Sequence, residues 1–157
     1  MLLSETYRIL ITPNVAAPYD ERMVKGLADG FNGLGHYAGA LSAPVSSAEL
    51  NTLCEDLSIN VVLQVNRTRD LDAPLPKNVR FISWFQDVYP ETLNGFADKF
   101  HDSDILYSLG DPTVLGVQTE MPCFVGCLFT GVNPETLNFS RHNIKKDLDF
   151  SLCGALP

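Results

Sequence analysis

The sequence predicts an α/β fold, a three-layer α/β/α sandwich built on a Rossmann-like, mostly parallel sheet of about six strands. Three observations lead there. Short runs rich in β-branched and aromatic residues recur along the chain, each followed by turn residues and many by apolar residues at helical spacing. The runs are nearly continuous in apolar residues, the pattern of strands covered on both faces. The 157 residues suit one domain with a real core, and a chain of this length buries roughly two-thirds of its unfolded surface.

Residues 6–12, TYRILIT, form the first strand, which Pro13-Asn14 ends. Pro18 to Asp20 approach a helix whose apolar stripe is Met23, Leu27, Phe31 and Leu34. Gly26, Gly30, Gly33 and Gly35 are costly in a helix because each gives up backbone entropy. They fit either close approach to the sheet or a ligand, or a helix that frays and ends early. Residues 41–45 make a connection. Ser46-Ser47-Ala48-Glu49 then reads as a capping box, opening a helix over 47–57 that buries Leu50, Leu53, Cys54 and Leu57.

Residues 59–65, INVVLQV, read as a central strand that releases the polar run Asn66-Arg67-Thr68-Arg69-Asp70 at its carboxyl end. A loop over 72–78, with Pro74 and Pro76, leads into the strand 79–85. There the polarity changes abruptly at Gln86-Asp87. Pro90 suits a first helical turn, and Leu93, Phe96, Ala97 and Phe100 recur at helical spacing after it. Residues 104–109, DILYSL, are the next strand. Gly110-Asp111-Pro112 starts a short helix, with Asp111 as cap, running through Leu115. Residues 123–129, CFVGCLF, form a further strand, 130–134 a turn, and 150–157 one more strand-like segment.

Composition excludes several function classes. With 11 Lys and Arg against 19 Asp and Glu the net charge is −8, a poor basis for holding a phosphate backbone, so no nucleic-acid partner is expected. No apolar run approaches the ~20 residues of a membrane span, and the start MLLSETYRILI carries an acid where a signal peptide needs a basic region. A cytoplasmic protein is the plain reading. The triplets at Asn66 and Asn138 read as chance matches to a glycosylation site. Four cysteines are too few and too spread for a disulfide scaffold. Cys123 and Cys127 lack a second pair at zinc spacing, so they and Cys54 and Cys153 read as core thiols.

Other motifs fail on context. Gly33-Leu34-Gly35-His36-Tyr37-Ala38 matches a dinucleotide fingerprint as a string but follows a helix instead of a strand. His36, His101 and His142 have no metal-ligand spacing. No nucleophile elbow is present.

In an open α/β sheet, ligands bind beyond the carboxyl ends of the strands, and that rule selects the candidates. Asp87 is the catalytic candidate: a strand-end carboxylate orients a sugar hydroxyl, accepts a proton, or caps the helix after it. Asn14, Asn66 and Gln86 offer neutral hydrogen bonds at strand ends. Arg67 and Arg69 suit either an anionic ligand or surface ion pairs. Asp111 joins the substrate-binding candidates, although capping accounts for it as well. No metal ligand is expected.

Five segments then carry a family resemblance: LSINVVLQVNRTRD at 57–70, VRFISWFQD at 79–87, DSDILYSLGDP at 102–112, LFTGVNPETLNF at 128–139 and KKDLDFSLCGALP at 145–157. Together they resemble the N-terminal half of a GT-B glycosyltransferase, in particular CgeB-like or group-1-like bacterial proteins. The resemblance implies a Rossmann-like acceptor-side domain over 1–144, with 145–157 beginning a missing second domain or forming a terminal strand. It implies transfer of a sugar from a nucleotide-sugar donor to a sugar or glycan acceptor in a cleft between two halves, with Asp87 at the cleft. The donor would bind the missing C-terminal domain, this chain would hold no cofactor, and it would be inactive alone. One departure stands out: the glycine-rich loop often found after the first strand is replaced by PNVAA at 13–17. The alternative is a non-catalytic α/β binding or dimerisation domain, with 150–153 pairing at a sheet edge of a homodimer. A third reading is a small α/β enzyme using Asp87 with Arg67 or Arg69.

Overall fold

A computed structural model describes residues 5–87, 97–114 and 117–130. Six strands form one sheet: β1 (Arg8–Thr12), β2 (Tyr37–Ala40), β3 (Val61–Val65), β4 (Arg80–Phe85), β5 (Ile105–Ser108) and β6 (Phe124–Cys127). Their order is β2-β1-β3-β4-β5-β6, and every neighbouring pair is parallel. The α/β Rossmann-like class read from the sequence is therefore the observed one. β3 is central, flanked by β1 and β4.

Two helices cover opposite faces. Helix α1 (Pro18–Gly33) presses Val24 and Ala28 onto Ile9 and Ile11 of β1 and Val61, Leu63 and Val65 of β3. Helix α2 (Ser47–Asp56) presses Leu50 and Cys54 into a second cluster with Leu10, Val62, Phe81, Phe85, Phe100 and Leu106. The two sets alternate along β1 and β3, as the two-residue period of a strand requires. Each fully buried aliphatic or aromatic side chain in these layers contributes about 1.5–3 kcal/mol.

Helix α2 begins as its sequence specifies. The Ser46 side chain accepts the Glu49 N–H while the Glu49 carboxylate accepts the Ser46 N–H, a complete capping box. Helix α1 has no side-chain cap; Pro18 opens it, and the Asp20 carboxylate turns back to accept the Val15 N–H at 3.0 Å.

Several expectations are corrected. The buried stripe of α1 centres on Val24 and Ala28, with Met23, Leu27 and Phe31 at its margins, and Leu34 is exposed beyond the helix end. Apart from the helix's own backbone and the chain neighbours, no atom lies within 4 Å of where a Cβ at Gly26, Gly30 or Gly33 would sit, so close approach to the sheet is not their reason. Gly35 does have one, a φ of +89° in the turn after the helix. β2 is a strand the sequence did not announce, because YAGA has little strand propensity beyond its tyrosine. It is held as the edge partner of β1. The chain from 110 to 114 forms a turn, with no helix among the described residues there. The helix read from Pro90 lies outside the described residues up to position 96, and a single 3₁₀ turn, Ala97–Lys99, follows. Phe100 after it is buried. The segments 131–144 and 145–157, with His142 and Cys153, also lie outside the described residues. Among the described residues no helix is long and apolar enough to cross a membrane.

Candidate functional site at the carboxyl edge of the sheet

From β1 the chain moves outward to β2, then returns across β1 to enter β3 on its other side. That reversal leaves a crevice at the carboxyl ends of β1 and β3, the topological switch point of a doubly wound sheet. Asn14 follows β1 and Asn66-Arg67 follow β3, so the sequence brings three of its candidates to that point. The Arg67 guanidinium reaches over the crevice and donates to the Asn14 carbonyl at 3.1 Å. Beneath it, Thr12 and Gln64 are register partners, and the Gln64 amide donates to the Thr12 hydroxyl at 3.0 Å.

Asn66 organises the neighbouring edge. It sits at φ +52°, a left-handed conformation that asparagine tolerates better than most residues, and it is buried. Its Oδ1 accepts the backbone N–H groups of Gln86 at 2.6 Å and Asp87 at 3.1 Å, and its Nδ2 donates to Asp87 Oδ2 at 3.0 Å. The first turn after β4 is thus clamped onto the end of β3, with the Asp87 carboxylate exposed at the rim. The burial of Asn66 also excludes it as a glycosylation acceptor in the folded protein. The Gln86 side chain points toward Met23 of α1, its Nε2 lying 3.0 Å from the sulfur.

The loop after β3 then folds back over the α2 face. The Ser83 hydroxyl of β4 donates to the Arg67 carbonyl. Arg69, buried, lies over the Phe81 ring at 5.3 Å and binds the Asp104 carboxylate through Nε at 2.9 Å and through Nη2. Asp104, buried as well, also accepts the His101 N–H at 2.8 Å. Arg69 is therefore spent on the fold, joining the β3–β4 loop to the entry of β5. Further on, Asp70 accepts from the Ser47 hydroxyl and from the N–H groups of Asp72 and Ala73. Those bonds, that from Ser47 foremost, hold its carboxyl below the usual range.

Between this loop and the start of α2 lies a cavity of about 330 Å³, at the small end for a ligand pocket. Leu50, Leu75 and Phe81 form its apolar side, and Gln64, Arg67, Thr68 and Asp70 bring polar groups to it. Gln64 and Ser47 were missed in the sequence. Gln64 carried a signal, being the single polar residue inside the apolar run VVLQV and hence the one that breaks the α2-facing layer.

Asp111 stands apart. It lies beyond the end of β5, exposed, where its carboxylate accepts the Thr113 N–H at 2.9 Å and hydroxyl at 2.7 Å. The hydroxyl bond holds it below the usual carboxylate range, and no hydrogen bond ties it to the other candidates among the described residues. Among the described residues no group of three or more His, Cys, Asp or Glu is placed to hold a metal ion.

The fold and this edge define a doubly wound parallel α/β domain with a small polar-lipped cleft. Compared with family models, with curated proteins and with solved structures, the chain matches none.

Proposed function

We propose that the chain is the acceptor-side domain of a cytoplasmic bacterial glycosyltransferase of the GT-B type, in which a second domain supplies the nucleotide-sugar. The observation that carries the proposal is the character of the carboxyl edge. The turn after β1 has no glycine-rich phosphate cradle, reading Pro13-Asn14-Val15-Ala16-Ala17, while polar groups of Gln64, Arg67, Thr68 and Asp70 line a cleft with an apolar wall, and Asp87 and the Asn14 carbonyl are hydrogen-bonded to its lining residues Asn66 and Arg67. Hydrogen-bonding groups beside an apolar face suit a sugar ring, which has hydroxyls around its rim and C–H groups on its faces. In this role Asp87 is the group that takes the proton from the attacking acceptor hydroxyl. The proton leaves the hydroxyl oxygen as that oxygen bonds to the donor's anomeric carbon, and the nucleoside diphosphate departs with the electron pair of the broken bond.

The reading is tested by the size of the natural polypeptide in source cells, detected with an antibody raised to this chain. A second domain adds on the order of 100–150 residues or more, so a species roughly twice the 17.3 kDa of this chain supports it. A species of 17.3 kDa alone overturns it.

A further inference from the structure

We infer that the cavity between the β3–β4 loop and α2 takes a ligand carrying an oxyanion, a phosphate or carboxylate on a sugar-sized body, and that Arg67 is the group that selects it. Arg69 and Asp70, the other ionic groups that line the cavity, are both held by the chain itself. Asp104 neutralises Arg69 in a buried pair. The Asp70 carboxylate accepts one hydroxyl and two N–H groups of the chain itself, and no cation pairs with it among the described residues. Arg67 differs. Among the described residues its guanidinium makes one hydrogen bond, to the Asn14 carbonyl, and no carboxylate lies within 4.0 Å of it.

That single bond matters in itself. The Asn14 carbonyl takes one N–H of Arg67 and supplies no countercharge, so it tethers the guanidinium without neutralising it and leaves most of its five donors unused by the described residues. An exposed arginine with no role in the fold would sample many rotamers; this one is tied across the switch point while it lines the cavity. A planar, preoriented guanidinium is the side chain best matched to a bidentate carboxylate or phosphate. The ligand body would lie against Leu50, Leu75 and Phe81, with Gln64 and Thr68 beside it. Recognition here is local: the chain as a whole carries −8, which gives no long-range attraction for an anion.

The inference rests on the proposed sugar-acceptor role and narrows it to an acidic or phosphorylated acceptor. The test follows amide shifts of the full 157-residue chain by NMR during titration with glucose 1-phosphate, glucuronate, glucose and inorganic phosphate, in the wild type and in Arg67→Gln. Either anionic sugar should bind with shifts around Gln64 and Thr68, and Arg67→Gln should weaken it roughly tenfold or more, as loss of a charged hydrogen bond does. Glucose should bind weakly and equally to both proteins. Preference for glucose 1-phosphate or for glucuronate tells a phosphorylated acceptor from a uronic acid. Equal binding of charged and neutral sugars, insensitive to Arg67→Gln, overturns the inference while leaving the acceptor reading standing. Binding of inorganic phosphate alone, lost in Arg67→Gln, keeps the anion site and overturns the sugar. Absence of binding by all four overturns both.

Discussion

The side chain of Asn66 holds Asp87 from two directions, accepting its backbone N–H at 3.1 Å and donating to its carboxylate at 3.0 Å. One left-handed residue at the end of the central strand therefore sets both the turn after β4 and the aim of the candidate catalytic group. Asn66→Ala removes the acceptor for two N–H groups, about 1–3 kcal/mol when such groups are left unpaired, and adds about 1 kcal/mol for forcing alanine into the left-handed region. Asn66→Gly loses the bonds but not the backbone fit. Urea midpoints should rank wild type, glycine variant, alanine variant in falling order; an alanine variant as stable as wild type would show that the clamp contributes nothing.

Asp87→Asn separates chemistry from structure. An asparagine at 87 still offers an oxygen to Asn66 Nδ2, so the unfolding midpoint should stay within about 0.5 kcal/mol of wild type, the range of surface substitutions. If Asp87 is the base of the proposed reaction, sugar transfer by the natural polypeptide should fall by roughly 10²-fold or more, the usual contribution of a general base. Full activity in this variant would remove Asp87 from the mechanism.

Arg69 and Asp104 behave differently because both are buried. Removing either partner strands a charge in the core, at a cost of about 3–5 kcal/mol, whereas replacing both by apolar residues of similar size is far milder. Arg69→Met and Asp104→Leu should each lower the unfolding free energy by that amount, and the double variant should recover most of it. Additive losses in the double variant would mean that the pair is not coupled.

Much of the fold was legible because its strands are strongly patterned. The runs at β1, β3 and β4 are apolar enough to be recognised alone, and the capping box at Ser46 and Glu49 marks the start of α2 to the residue. β2 was illegible because Ala38, Gly39 and Ala40 carry almost no local preference; pairing with Ile9, Leu10 and Ile11 decides it. The site was legible to the level of the strand ends and no further. Adjacent residues Arg67 and Arg69 look alike in the sequence, yet one is tied to a carbonyl at the crevice and the other is buried against Asp104. What separates them is the path of the loop over β4, fixed by contacts with Ser83 and Phe81, which a string of letters does not display. Cys127 shows the same limit: it lies exposed on the edge strand β6 and not in the core with Cys54 and Cys123.

The glycines of α1 yield a stabilising variant. Gly26 and Gly30 have helical backbones and open space at the Cβ position, so alanine there reduces the entropy of the unfolded chain with no clash. Each substitution should add about 0.4–1 kcal/mol, read as a higher urea midpoint. A loss of stability on Gly26→Ala would restore close packing as the reason for that glycine.

The described thiols give a prediction about reactivity and pH together. Burial, with a smaller push from the Glu55 charge, raises the Cys54 thiol from 9.0 to about 11, and burial raises Cys123 as well. The thiolate is the reactive form, so iodoacetamide at pH 8 should modify Cys127, which is exposed, well before either of the others. Peptide mass spectrometry reads the order, and denaturant should abolish it. The linkage has a definite sign. In the unfolded chain the Cys54 thiol ionises at its ordinary value, while in the fold it stays protonated. Its contribution to stability is therefore complete below about pH 9 and is lost as pH rises toward about 11. Other groups also titrate in that window, so the comparison is with Cys54→Ala, which is less stable at pH 8 but should lose less of its remaining stability on going to alkaline pH. Parallel losses in the two proteins would show that this thiol ionises in the native state as readily as in the unfolded chain.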